Sequence, residues 1–222
     1  MHILFCVNKA KLRTKCFVKV EHFVLPFIVD PVEIWEGGTN GLPLQNATTT
    51  GYYLKKYVNN TISFEAGSTV TKKQHNWVLF RYGEILLNYA EAMINAFHDP
   101  NYKDAVYNMS AREAVNQIRG RTNISLPGFP SDITEKDFVK RLKNERRVEL
   151  AFEGHRFWDV RRWKELGQTA NIYGVKITKN NEVISYEKFL LETRAVTDNM
   201  YFYPIPNTER FKNPNLGQNP GW

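Results

Sequence analysis

A helical period in residues 80–97 limits this chain to folds that contain packed helices. Apolar side chains recur there at intervals of three, four and seven residues, and polar side chains occupy the opposite face. On an α-helix this spacing forms one continuous apolar stripe, which must be buried against other elements. The stripe comprises Tyr82, Ile85, Leu86, Tyr89, Ala90, Met93 and Phe97.

Three further helices are predicted from capping residues and apolar spacing. Ser110 and Glu113 fit a capping box, in which each side chain satisfies a free backbone N–H. Thr134 begins the next helix, and Gly154 suits its end because glycine tolerates a left-handed backbone. Helices joined by short loops form antiparallel hairpins, the unit of helical-repeat architectures. The predicted helices cover about residues 110–121, 134–153 and 156–166.

The apolar faces of these four helices define the expected core. We predict that eight side chains on those faces are mostly buried: Tyr82, Leu86, Tyr89, Met93, Val115, Ile118, Leu142 and Phe152.

Outside the helices the sequence is rich in turn-forming residues. Residues 31–76 contain many Gly, Asn and Thr residues and one possible short strand at 50–58. The helical period decays after Gly167, so residues 167–222 are predicted to be loop-rich. The end of that segment is rich in proline and asparagine, and its aromatic side chains predict an ordered coil because they need a packing partner.

Composition excludes several classes of function. The chain of 222 residues carries a formal charge of +7, but residues 134–166 mix both signs of charge, which indicates internal ion pairing and not nucleic-acid binding.

No apolar run approaches the roughly 18 residues that a membrane-spanning helix needs. The only cysteines, Cys6 and Cys16, have no companion ligands at zinc-binding spacing, and no dinucleotide or phosphate motif is present. We therefore expect neither metal nor cofactor.

The third helix carries charges where its apolar stripe should continue. Spacings of three, four and seven residues from Leu142 lead to Glu145, Arg146 and Glu149. One interpretation is a catalytic carboxylate pair, Glu145 and Glu149, in a retaining glycan hydrolase. The other is a structural ion network. We favour the network because neighbouring arginines lower the pKa of a carboxyl group, whereas a general acid needs a raised pKa. The predicted network comprises Glu145, Arg146, Glu149, Glu153, Arg156 and Arg162.

Four segments, in order along the chain, resemble one protein family. NERRVELAFEGHRFWDVRRW (144–163) resembles the signature of the SusD/RagB outer-membrane nutrient-binding lipoproteins. LFRYGEILLNYAEAMINA (79–96) and AREAVNQIRGRT (111–122) are similar to the helices that precede this signature. FYPIPNTERFKNPNLGQNPGW (202–222) is similar to the C-terminal coil of the family.

The resemblance implies a mainly α fold, with tetratricopeptide-like helix hairpins, loop-rich segments and an ordered Pro/Asn-rich C-terminal coil. It also implies a protein on the outward face of the outer membrane that binds glycans or other nutrients without cleaving them. Its implied partners are an oligo- or polysaccharide and a SusC-like TonB-dependent transporter. A protein-binding scaffold without glycan binding stays open as an alternative, as does a hydrolase that uses Glu145 and Glu149.

The resemblance does not extend to the front of the chain. Residues 1–30 contain neither an export signal nor a lipid-acceptor cysteine and are unassigned. We expect residues 31–222 to be the C-terminal part of a SusD/RagB-like domain, with a helical core at about 77–166 and the loop-rich segment at 167–222. Candidate rings for stacking on a sugar are Trp35, Tyr52 and Tyr53, in a segment predicted to be exposed.

Overall fold

The computed structural model describes residues 28–29, 42, 48–54, 56, 74, 78–122, 124–180 and 183–222. Its helices are α1 (Tyr82–Phe97), α2 (Ala111–Arg119), α3 (Glu135–Glu149), α4 (His155–Arg162) and α5 (Asn207–Lys212). Its strands are β1 (Ile28–Val29), β2 (Tyr53–Leu54), β3 (Asn171–Asn180) and β4 (Val183–Thr193). The described part is mainly helical, as predicted. None of its helices combines the length and the apolar character needed to cross a bilayer.

The chain divides into two compact units. The helical unit consists of residues 74–158, and the second unit consists of residues 1–73 together with residues 159–222. Helix α1 contacts both α2 and α3 within the helical unit, so the predicted packing of helices is confirmed.

A single apolar cluster forms the core of the helical unit. Leu87 and Ala90 of α1, Val115 of α2 and Phe138 of α3 are completely buried in it. The ring of Phe138 meets Phe129 edge to face, with 5.8 Å between the ring centroids. Burial of these side chains supplies most of the free energy that holds the three helices together.

The helix starts follow the predicted capping residues. The Ser110 hydroxyl accepts a hydrogen bond from the Glu113 N–H at 3.1 Å, and the Glu113 carboxylate accepts one from the Ser110 N–H at 2.9 Å. Thr134 caps α3 by accepting from the Asp137 N–H. Helix α3 ends at Glu149, four residues before the predicted end at residue 153.

Five of the eight side chains predicted to be mostly buried are buried: Leu86, Met93, Val115, Ile118 and Leu142. Tyr89 is half-buried, and its hydroxyl donates a hydrogen bond to the Met109 carbonyl at 2.5 Å.

The predicted burial of Tyr82 and Phe152 is wrong, because these side chains are 68% and 54% exposed. Tyr82 is the first residue of α1 and follows Leu79 and Phe80, which are also exposed. Phe152 lies beyond the end of α3 and has a φ of +63°, so its side chain no longer follows the stripe of that helix.

A long hairpin in the second unit corrects the prediction that residues 167–222 are loop-rich. Strands β3 and β4 pair antiparallel, from Asn171 opposite Thr193 to Asn180 opposite Val183, with an irregularity at Ile172/Tyr173. Val175 and Ile177 alternate with polar residues and are buried, which is the pattern of a strand with one covered face.

Side-chain amides hold the C-terminal coil, which is ordered as predicted but is interrupted by the short helix α5. The expected packing of its aromatic side chains is wrong, because Phe202, Tyr203 and Phe211 are exposed. The Gln218 amide accepts from the Ile205 N–H at 2.7 Å and donates to the Ile205 carbonyl at 3.0 Å. Asn219 donates to the Tyr203 carbonyl, and the Trp222 indole donates to the Asn199 carbonyl. These bonds replace the ladder hydrogen bonds that a proline-containing segment cannot make.

A short strand occurs within residues 50–58, as the sequence suggested. Val29 lies opposite Tyr53 and Ile28 opposite Leu54 in the antiparallel pair of β1 and β2. The Val175 N–H of β3 donates to the Thr50 carbonyl at 2.9 Å, which ties the 48–54 segment to the hairpin of the same unit.

Candidate functional site

Three charged residues in the second half of α3 lie on its buried face. Glu145, Arg146 and Glu149 are only 3%, 4% and 5% exposed, as the spacing from Leu142 implied. Because buried charge is costly unless it is paired, the partners of these groups decide what the cluster can do.

Glu145 pairs with an arginine from α2. Arg119 donates from Nη1 to Glu145 Oε2 at 2.8 Å, and both side chains are 3% exposed. Arg119 also donates from Nε to the Pro127 carbonyl at 2.7 Å, which fixes the guanidinium. Burial raises the pKa of the Glu145 carboxyl to about 7, and the charge of Arg119 opposes this shift only in part. The expectation that neighbouring arginines lower the carboxyl pKa is therefore wrong for Glu145.

Two further arginines bind Glu149. Arg121 forms a bidentate pair with its carboxylate, from Nη1 to Oε1 at 2.9 Å and from Nη2 to Oε2 at 2.7 Å. Arg81, just before α1, donates to Glu149 Oε1 at 2.5 Å and to the Glu149 carbonyl at 2.6 Å. Its Nε donates to Glu153 at 2.8 Å. Burial alone would lower the pKa of Arg81, but hydrogen bonds to Glu153 and Glu149 leave it raised.

The remaining members of the predicted network have other neighbours. Arg146 donates to Asn88 on α1 at 2.6 Å and lies 3.8 Å from the Glu91 carboxylate. Arg162 forms a salt bridge with Asp159 on its own helix, α4. Arg156 is half-buried.

Sequence analysis missed the arginines that pair with Glu145 and Glu149. One signal was available, because Arg119 lies four residues after Val115 and therefore continues the apolar stripe of α2. Arg81 and Arg121 lie just outside helices, where helical periodicity does not predict which way a side chain points. The cluster therefore joins three segments of the helical unit: the entry to α1, the end of α2 and the face of α3.

The geometry of Glu145 and Glu149 is that of structural ion pairs. Neither carboxylate is exposed enough for a glycan to contact it, and arginines from other segments already hold both. A glycoside hydrolase needs both carboxylates at the substrate. The cluster thus links the entry to α1, the end of α2 and the face of α3 through ion pairs.

The described residues include two of the three candidate ligand-stacking residues, Tyr52 and Tyr53. Trp35 lies outside the described residues. Tyr53 lies in β2, opposite Val29. Tyr52 is half-buried, and burial raises the pKa of its hydroxyl to about 12. Its backbone is fixed by bonds with Thr48 and Thr50.

The described residues also contain no group of three or more His, Cys, Asp or Glu side chains that could hold a metal ion.

Helix hairpins fastened by buried arginine–glutamate pairs, together with an amide-bonded C-terminal coil, define a helical scaffold of the kind that the sequence resemblance implied. The SusD family model matches residues 28–222, and the chain belongs to the SusD family.

Individual relatives agree with this assignment. The chain is 29% identical to SusD-like protein P2 of Formosa agariphila over 163 residues, which cover 71% of the chain and 28% of that protein. It is 37% identical to SusD-like protein P38 of the same organism over 150 residues, which cover 65% of the chain and 24% of that protein.

A solved structure agrees as well. The crystal structure of a SusD-like protein from Bacteroides fragilis NCTC 9343 matches 78% of the chain with a TM-score of 0.61 and 32% identity. The match covers 31% of that protein. The chain therefore spans about a quarter to a third of the length of these relatives.

Proposed function

We propose that this chain forms part of a non-catalytic nutrient-binding component of an outer-membrane uptake complex, and that the nutrient is a glycan. The match of the SusD family model over residues 28–222 is the observation that carries this proposal. The burial of Glu145 and Glu149 supports a binding role over a hydrolytic one, since these two catalytic candidates are already ion-paired with arginines.

The proposed partner is a SusC-like TonB-dependent transporter, beside which the protein faces outward from the cell. Family membership supports this proposal. Exposed apolar side chains give it physical support, because Leu79 and Phe80 are mostly exposed side by side at the entry to α1. Adjacent apolar residues on a surface are typical of a protein interface.

Aromatic stacking is the proposed means of holding the sugar, with Trp35, Tyr52 and Tyr53 as candidates. A ring placed against the C–H face of a sugar buries apolar surface, and neighbouring polar groups bind the hydroxyls. Tyr52 leaves part of its side chain exposed for such a contact.

Affinity electrophoresis of the full chain in gels that contain one polysaccharide each tests the proposal. Retardation by at least one neutral glycan is expected, together with capture of a SusC-like transporter in a pull-down. Capture of the transporter without retardation by any glycan would favour the protein-binding scaffold. Cleavage of the polysaccharide would instead identify a hydrolase.

A further inference from the structure

An open groove of about 700 Å³ lies between the loop that precedes α2 and the exposed side of that helix, wholly within the helical unit. Small-molecule sites commonly have volumes of about 300–1,000 Å³. We propose that this groove is a binding subsite for a neutral oligosaccharide, an inference that rests on the proposed function. Its lining residues are Lys103, Asn108, Met109, Glu113, Asn116, Gln117 and Gly120.

The loop wall of the groove is fixed by its own hydrogen bonds. The Asp104 carboxylate accepts from the Val106 N–H at 2.8 Å, the Tyr107 N–H at 2.6 Å and the Tyr102 hydroxyl at 2.7 Å. These bonds lower the pKa of Asp104, and the bond from the Tyr107 N–H has the largest effect. Tyr89 holds the end of the loop through the Met109 carbonyl. A wall that is ordered before binding reduces the entropy that the ligand interaction must offset.

The helix wall is fixed as well, and the charges in the groove cancel. Glu113 is held by the capping box with Ser110, and Lys103 donates to its other carboxylate oxygen at 2.8 Å. The hydrogen bond from Lys103 is the main cause that lowers the pKa of Glu113, so this carboxylate stays ionised near neutral pH. Because one cation faces one anion, the groove favours a neutral ligand over a polyanion.

Two side-chain amides in the groove keep hydrogen-bonding capacity for a ligand. Asn108 is exposed and makes no hydrogen bond to the part of the chain that the structure describes. Gln117 donates only to the Met109 sulfur, at 3.0 Å, and a thioether is a weak acceptor. Asn116, by contrast, forms hydrogen bonds with the backbone of Phe129 and is part of the groove wall.

These groups match the surface of a sugar. An amide presents a donor and an acceptor side by side, which suits two neighbouring hydroxyls, each of which both donates and accepts. Met109 offers an adaptable apolar contact for the C–H face of the ring. Because the groove is open and its described lining contains no aromatic ring, we expect a Kd in the millimolar range.

The test uses the full chain, labelled with ¹⁵N and titrated with cellohexaose, xylohexaose and laminarihexaose while its NMR spectrum is recorded. The side-chain NH₂ signals of Asn108 and Gln117 are expected to shift with at least one sugar. The double variant Asn108→Ala/Gln117→Ala is expected to bind at least fivefold more weakly, since each lost hydrogen bond contributes about 0.5–1.5 kcal/mol. Asn95→Ala, an exposed amide on α1, is the matched control and should bind like the unmodified chain.

Each other outcome has a distinct meaning. Equal sugar affinity for the double variant and the control overturns the groove proposal and leaves the glycan-binding function standing. A folded chain that binds none of these sugars, and none of the polysaccharides in affinity electrophoresis, overturns both. If the NH₂ signals of Asn108 and Gln117 shift with a short neutral peptide but with no sugar, the proposal that the groove binds an oligosaccharide is overturned.

Discussion

The helical unit and the C-terminal coil stabilise their structures by different means. The helical unit buries a continuous apolar cluster from α1, α2 and α3 and closes it with arginine–glutamate pairs. The coil leaves Phe202, Tyr203, Phe211 and Trp222 largely exposed and holds its backbone through the amides of Gln218 and Asn219. Loss of one buried charge should therefore weaken the helical unit globally, whereas loss of one amide should loosen the coil locally.

The largest effect is expected from Glu149→Gln. This change leaves Arg81 and Arg121 without their shared anion, and breaking a buried ion pair typically costs about 3–5 kcal/mol. Chemical denaturation followed by circular dichroism measures the change in the free energy of unfolding. Asp132→Asn, which removes an exposed carboxylate shortly before the same helix, is the control and should change stability by less than about 0.5 kcal/mol. Equal stability of both variants would show that the Glu149 pairs do not hold the helices together.

A smaller effect is expected in the pH dependence of stability. The pKa of Glu145 is about 7 in the folded chain against an ordinary value of 4.5, so the folded state holds a proton that the unfolded state releases between these values. The contribution of Glu145 to stability should therefore fall as the pH rises from about 4.5 to 7.

Denaturation at pH 5 and pH 8 measures this contribution. Relative to Glu145→Gln, which cannot ionise, the unmodified chain should lose on the order of 1–3 kcal/mol between the two pH values. Identical pH profiles for the two proteins would place the pKa of Glu145 near its ordinary value.

The smallest effect is expected from Gln218→Ala in the coil. The change removes two hydrogen bonds with Ile205 and one from the Asn219 N–H, and it should cost about 1–2 kcal/mol. Hydrogen exchange should speed up at residues 203–222 and stay unchanged in α1–α3. Asn215→Ala, an exposed amide in the same coil, is the control. Faster exchange throughout the helical unit would mean that the two regions do not differ as described.

Features that depend on local spacing could be predicted from the sequence, whereas contacts between distant residues could not. Apolar spacing predicted α1 because Leu86, Ala90 and Met93 all face one core. The capping box of Ser110 predicted the start of α2, since the bond is local. Arg81 and Arg121 were missed because their partner lies on a helix far away in sequence. The β3–β4 hairpin was missed because its covered face shows only Val175 and Ile177 in alternation.

The candidate site was less predictable than the fold. The burial of Glu145 and Glu149 followed from the spacing from Leu142, but the choice between catalysis and structure needed the arginines in three dimensions. The groove beside α2 gave no sequence signal, because Asn108 and Gln117 line one groove only after the loop folds against the helix.

Calorimetry of the full chain with an oligosaccharide, combined with a reducing-end assay on the same sample, tests the central claim most directly. A millimolar Kd (about −4 kcal/mol) and no new reducing ends are expected from the proposed binding of glycan at a shallow surface without cleavage. A micromolar Kd would show that the chain contains a much more enclosed site than the groove beside α2. Reducing ends that increase with protein concentration, and that disappear in Glu145→Gln, would contradict the binding role itself.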